Sequence, residues 1–413
     1  MNGIRGNVIV GQSGGPTAVI NSSLAGVFKT AKDRGANKVY GMLHGIQGLL
    51  QERYVDLEDH IKNDLDIELL KRTPSAYLGS CRFKLPDISQ DREIYDKIFD
   101  ILNKLEIEYF FYIGGNDSMD TIKKLSDYSL LNGSNIRFMG VPKTIDNDLA
   151  ATDHTPGYGS AAKYIGSITK EVIRDGLVYD QQNVTILEIM GRNAGWLTGA
   201  AALAKCEDCE GPDMIFLPEV TFDVDEFMKK VAELHKKKKS VVVAVSEGVK
   251  TADGRYVCEL TDGIDFVDAF GHKQLTGTAR FLAEKINREV GCKTRAIEFN
   301  SLQRCASHIV SRVDITEAYQ VGGAAVKEAF EGETGKMIKR VSDDPYICVT
   351  DIYDVHKVAN VEKKVPRNWI NEAGDYVTEE FVNYIRPLIQ AELTPIMTDG
   401  LPRHLYYTDV EKK

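Results

Sequence analysis

Residues 138–148 read FMGVPKTIDND. A short apolar run ends at Pro142, and a lysine and two acids follow at once. Asp146 and Asp148 occupy alternate positions, so an extended or turn segment can point both at a shared site. Lys143 places a mobile positive charge ahead of them. A strand that ends in Lys, Thr, Asp and Asp can bind an anion and take a proton. A polar loop after a buried strand would look similar, so the neighbouring segments have to decide.

Upstream, residues 109–113 are almost wholly apolar and aromatic, as expected of a central strand covered on both faces. They run into GGNDSMDT. Gly114 and Gly115 leave room for a ligand, and Asn116 and Asp117 can orient a hydrated cation or a phosphate-bound water. Asp120 and Thr121 read as caps of the next helix. Residues 136–141 form the next expected strand, so two neighbouring strands end in polar clusters on one edge of a sheet. That edge is where α/β proteins place their sites. Near the N-terminus, residues 7–11 read as a strand running into GQSGG and an amphipathic helix. Gly14 and Gly15 suit either a phosphate-holding loop or a tight strand–helix turn; the pattern is neither G-x-G-x-x-G nor a G-K-[ST] loop. The polar cluster SAYLGSCRFKL carries Arg82, a phosphate contact or a solvated surface arginine.

Downstream, His154 reads as structural, and residues 184–190 form a strand running into Gly191 and Arg192. Arg192 can offer a forked contact to phosphate, while Trp196 reads as packing. The apolar strand at 241–245 delivers Glu247, which could accept hydrogen bonds from sugar hydroxyls. Arg295 and Arg304 bracket a further strand and turn. The C-x-x-C pair Cys206 and Cys209 lacks flanking histidines and reads as a loop.

With 413 residues, 43% of them hydrophobic, the chain can bury a large core, and two domains are expected. A net charge of -10 argues against non-specific nucleic-acid binding. No apolar run approaches a membrane span, the N-terminus is too short in apolar residues for a signal peptide, and seven irregularly spaced cysteines suit a reducing, cytoplasmic setting. Four carboxylates (Asp117, Asp146, Asp148, Glu247) and five basic groups (Arg82, Lys143, Arg192, Arg295, Arg304) imply a polyanionic substrate, a metal and a base. Phosphoryl transfer to a hydroxyl needs that combination.

The chain resembles the phosphofructokinase family. The matching motifs, in the family's order, are SGG at 13–15, GSCRF at 79–83, GGNDS at 114–118, PKTIDND at 142–148, MGR at 190–192, SEG at 246–248 and LQR at 302–304. The resemblance implies two Rossmann-like three-layer α/β domains with mostly parallel sheets. Residues 1–149 with about 265–310 would bind the donor phosphate, and 150–264 with part of 311–413 the sugar phosphate. It implies phosphorylation of fructose 6-phosphate at the 1-hydroxyl, with Asp146 taking the proton and Lys143, Asp117 and Arg192 beside it. Gly14, Gly15, Arg82 and Lys143 would hold the donor. Thr144, Asp146, Asp148, Met190, Gly191, Arg192, Glu247, Arg295, Ser301 and Arg304 would line the sugar phosphate. Asn116, where relatives carry aspartate, and Asp148 would hold Mg²⁺.

Two positions point to the donor. ATP-using relatives have glycine at Asp117 and at Lys143; the pair seen here marks diphosphate-dependent members. A carboxylate at 117 repels the α-phosphate of ATP, and a lysine at 143 supports a transferring phosphate. The expected partners are therefore diphosphate and fructose 6-phosphate, in a homodimer or homotetramer. The alternatives are an ATP-dependent enzyme and a catalytically silent subunit of the same fold. Asn183 stands where many relatives carry an arginine that reaches into the neighbouring subunit.

Overall fold

A computed structural model describes residues 6–260, 275–342 and 346–406. Two sheets organise the described chain. The larger is built from β1 (Asn7–Gln12), β2 (Val39–Met42), β3 (Tyr54–Asp56), β4 (Ile107–Gly114) and β5 (Arg137–Pro142). The smaller contains β6 (Asn183–Ile189), β7 (Met214–Phe216), β8 (Ser240–Ser246) and β9 (Lys293–Glu298). β10 (Lys336–Ser342) and β11 (Cys348–Asp354) return to the larger sheet, giving the order β11-β10-β5-β4-β1-β2-β3. The smaller sheet has the order β7-β8-β6-β9 and is wholly parallel. In the larger, only β3 and β11 run antiparallel to their neighbours.

The apolar runs explain the layers. Along β4, Phe111 and Ile113 enter one core with Leu24, Val27 and Val321, while Phe110 and Tyr112 enter the opposite core with Ile98, Phe99 and Phe138. β8 divides likewise: Val242 and Ala244 face one side, and Val241, Val243 and Val245 the other. Both sheets are therefore covered on both faces, as near-continuous apolar strands require. Each large side chain so buried contributes about 1.5–3 kcal/mol.

Sheet membership departs from the expected division. Residues 293–298, expected with the donor half, pair with β6 in the smaller sheet. Strands β10 and β11, beyond residue 311, extend the larger one. The helix Arg312–Phe330 also packs against the helix Ile20–Asp33 of the larger sheet's layer. Glycines make that contact possible, since a Cβ at Gly26 would lie 2.1 Å from the Tyr319 carbonyl oxygen. The expected boundary near 265 falls outside the described residues. The last part of the chain covers the smaller sheet: Phe381 stacks on Trp196 at 5.8 Å, and Ile370, Val377 and Ile385 join the same core.

Candidate active site

The parallel register brings the strand ends together. Gly114 pairs with Pro142, and Gln12 with Ile113, so the polar segments after β1, β4 and β5 leave one edge side by side. After β1, the Ser13 N–H donates to the Ile113 carbonyl at 2.9 Å and the Gly14 N–H to the Cys81 carbonyl at 3.1 Å. The Ser80 hydroxyl donates to the Gly14 carbonyl at 2.6 Å. Gly14 has φ +76°, a conformation that favours glycine, and a Cβ there would sit 3.3 Å from Lys143 Nζ. The Lys143 N–H donates to the Gly114 carbonyl, and Nζ donates to the Gly15 carbonyl at 2.5 Å. The lysine is only 2% exposed. Burial pulls its pKa down to about 8, partly resisted by Asp146.

The chain then turns. The Asp146 N–H donates to Thr144 Oγ1 at 3.1 Å. Burial raises the Asp146 pKa, while Lys143, Arg304 and Arg192 favour its charged form. Asp148 is pushed up to about 7 by burial, by Asp146 and by Glu362. Asn116 Nδ2 donates to Asp148 Oδ2 at 3.4 Å, and Asn116 Oδ1 is buried with no hydrogen-bond partner. That orphan acceptor beside a carboxylate fits a hydrated Mg²⁺, which takes one or two protein oxygens and completes its shell with water and phosphate. Among the described residues no cluster of three or more His, Cys, Asp or Glu could hold a metal ion.

The smaller sheet supplies the opposite wall. Ile189 pairs with Ser246, so Met190 and Glu247 leave adjacent strand ends. The Glu247 N–H donates to the Ile189 carbonyl, and its Oε1 accepts the Gly191 N–H at 3.3 Å. Burial first, then Asp146 and Glu188, push Glu247 up to about 8. The Met190 N–H donates to Gln303 Oε1 at 3.4 Å, tying the MGR and LQR segments together. Arg304 reaches the glycine loop of the larger sheet: a Cβ on Gly15 would lie 3.2 Å from its guanidinium. Burial and the nearby Arg82 lower the Arg304 pKa.

Lys143, Asp146, Asp148, Arg82, Arg192, Glu247 and Arg304 therefore act on one another electrostatically. Such a cleft can grip a polyanion and hold a carboxylate ready for a proton. Asp117 is exposed in the first turn of the helix Asn116–Asn132, and Ser301 is exposed before the short helix Leu302–Cys305. Arg295 stands apart. It pairs with Thr185 across the sheet, well before the strand end, and its guanidinium binds Asp175 at 3.1 Å.

Asp120 and Thr121 are not caps: the helix begins at Asn116, and Asp120 instead pairs with Lys124 at 2.8 Å and accepts Asn360 Nδ2 at 3.1 Å. His154 is buried between Asp153 and Glu317, consistent with a structural role. Sequence reasoning passed over Asn147, which lies within the quoted motif, and Tyr384, which carries no motif at all.

The phosphofructokinase family description matches residues 7–329. The chain belongs to the phosphofructokinase family. Within it, the chain is 41% identical to the pyrophosphate–fructose 6-phosphate 1-phosphotransferase of Halomonas elongata, covering 96% of this chain and 95% of that protein. It is 40% identical to the enzyme of the same name from Xanthomonas campestris, over 98% and 97% of the two chains. The crystal structure of a pyrophosphate-dependent phosphofructokinase from Nitrosospira multiformis superposes with a TM-score of 0.86 at 38% identity, covering 96% of this chain and 95% of the other. The phosphofructokinase fold and its mostly parallel α/β character follow.

Proposed function

We infer that this phosphofructokinase transfers a phosphoryl group reversibly between diphosphate and the 1-hydroxyl of fructose 6-phosphate. The observation that carries the donor assignment is the buried ammonium of Lys143, held against the glycine loop through Gly15. The full-length similarity to proteins of that name supports it.

In this reading Asp146 takes the proton of the 1-hydroxyl. Burial raises its pKa, and its neighbours Lys143, Arg304 and Arg192 oppose that shift by favouring the charged form. Lys143, Arg82, Gly14 and Gly15 hold the diphosphate. Thr144, Met190, Gly191, Arg192, Glu247 and Arg304 orient the sugar phosphate, with Ser301 at the rim. Asn116 and Asp148 would hold Mg²⁺, which supplies charge neutralisation at the phosphates. Asp117 keeps negative charge where a nucleotide's inner phosphate would need to approach.

The distance of Arg295 from the cleft supports a homodimer or homotetramer. Its guanidinium lies 5.5 Å from the ring of Tyr179, which follows the exposed Leu177 and Val178 in the chain, a surface suited to a second copy. Among the described residues no helix is long and apolar enough to cross a membrane. The irregular spacing of the seven cysteines supports a cytoplasmic setting.

A coupled assay with fructose 6-phosphate, Mg²⁺ and either diphosphate or ATP tests the reading. Turnover with diphosphate alone is expected. Turnover with ATP alone would overturn the donor assignment, and none with either would favour a silent subunit.

A further inference from the structure

We infer that the C-terminal segment acts as a positioning strap for the catalytic turn, with Tyr384 holding Asn147 and Asn147 setting the directions of Asp146 and Asp148. The inference rests on the reading that Asp146 is the base.

Asn147 is wholly buried and has φ +55°. Asparagine tolerates this left-handed conformation better than most residues, but it persists only where surroundings enforce it. Here both ends of the side chain are engaged. Oδ1 accepts the Thr155 N–H at 3.1 Å, and Nδ2 donates to the Tyr384 hydroxyl at 2.8 Å. That hydroxyl donates in turn to the Asp153 carbonyl at 2.6 Å. Thr155 closes the turn by donating from Oγ1 to the Thr144 carbonyl at 2.9 Å. The left-handed residue between the two acids leaves Asp146 among the cationic side chains and Asp148 against Asn116.

Tyr384 is itself fixed. It lies on the helix Glu379–Ile385 with its ring 5.4 Å from Trp196 and 5.2 Å from Trp369. A second anchor reinforces it. The Lys363 N–H donates to the Asp148 carbonyl at 2.7 Å, and Lys363 Nζ donates to the Asp153 carbonyl at 2.7 Å. The Lys363 carbonyl accepts Trp196 Nε1 at 2.9 Å, so the strap also reaches the helix that follows the MGR segment. The strap thus touches residues 147, 148 and 153 of the catalytic turn and Trp196 of the helix after the MGR segment.

Two substitutions separate this role from general support. Tyr384→Phe removes one hydroxyl and keeps the ring between the tryptophans. Asn147→Gly keeps the left-handed backbone accessible and removes only the side-chain clamp. Each should lower kcat by about tenfold or more, because small displacements of reacting groups are costly. KM for fructose 6-phosphate should stay within about twofold, since the phosphate grip is untouched. The double variant should be no slower than Asn147→Gly alone, as two changes on one contact are not additive. Parental kcat in Tyr384→Phe, or losses that multiply in the double variant, would overturn the strap. Asp146→Ala serves as the control: an inactive Asp146→Ala beside a full-rate Tyr384→Phe sinks the strap alone, whereas an active Asp146→Ala sinks the assignment of the base.

Discussion

Lys143 Nζ donates a hydrogen bond to the Gly15 carbonyl at 2.5 Å, joining the turn after β5 to the glycine loop after β1. Burial, with Arg304 and Arg82 nearby, pulls its pKa down to about 8; one carbonyl dipole is a weak partner for a buried ammonium. The group is poised for a ligand that brings negative charge.

The ammonium should govern the alkaline limb. As pH rises through about 8 the free enzyme loses the Lys143 charge, so kcat/KM for diphosphate should decline there. Lys143→Met should lower kcat/KM by roughly 100-fold and abolish that limb, judged by the loss typical of a single charge-stabilising donor. Steady-state rates from pH 6 to 9.5 check both; an unchanged limb in the variant would remove Lys143 from the mechanism.

Asp146→Asn keeps size and shape while deleting the base. A drop in kcat of roughly 10²- to 10⁴-fold is expected, with far-UV circular dichroism unchanged. Near-normal turnover would mean that another group takes the proton.

The buried carboxyls make stability depend on pH in an unusual direction. Asp148 and Glu188 are pushed up to about 7 and Glu247 to about 8, all chiefly by burial. In the unfolded chain such groups titrate near about 4. Between those values the folded protein holds protons that the unfolded chain has released. Their contribution is therefore complete at the acid end and is lost as pH rises through 7 to 8. Thermal melts without ligand should show Tm falling by a few degrees between pH 6 and 8.5, and Asp148→Asn should flatten the slope. A Tm that rises over this window would contradict the placement of these groups.

Gly322→Ala tests the joint between the two helices. The new Cβ would lie 2.1 Å from the Ser23 carbonyl oxygen, so backbone has to move. A loss of about 1–3 kcal/mol is expected from overpacking, read as a lower urea midpoint. An unchanged midpoint would show that the helices can separate freely.

Most of the strands and their polar ends were legible along the chain, because apolar runs closed by glycine, proline and acids are local signals. The quoted motif, the glycine loop and the MGR and LQR segments carry such signals, and parallel register then brings them to one cleft. Other features have no local signal. Residues 293–298 could have paired with either sheet, and parallel register with β6 settled it. Arg295 looked like a phosphate ligand by its type, yet its place early in β9 keeps it from its own cleft. Nothing near Tyr384 foretold its bond to Asn147, since that contact joins segments far apart in the chain. The shifted titrations of Lys143 and Asp148 likewise arise from burial, which packing creates after distant segments close over the strand ends.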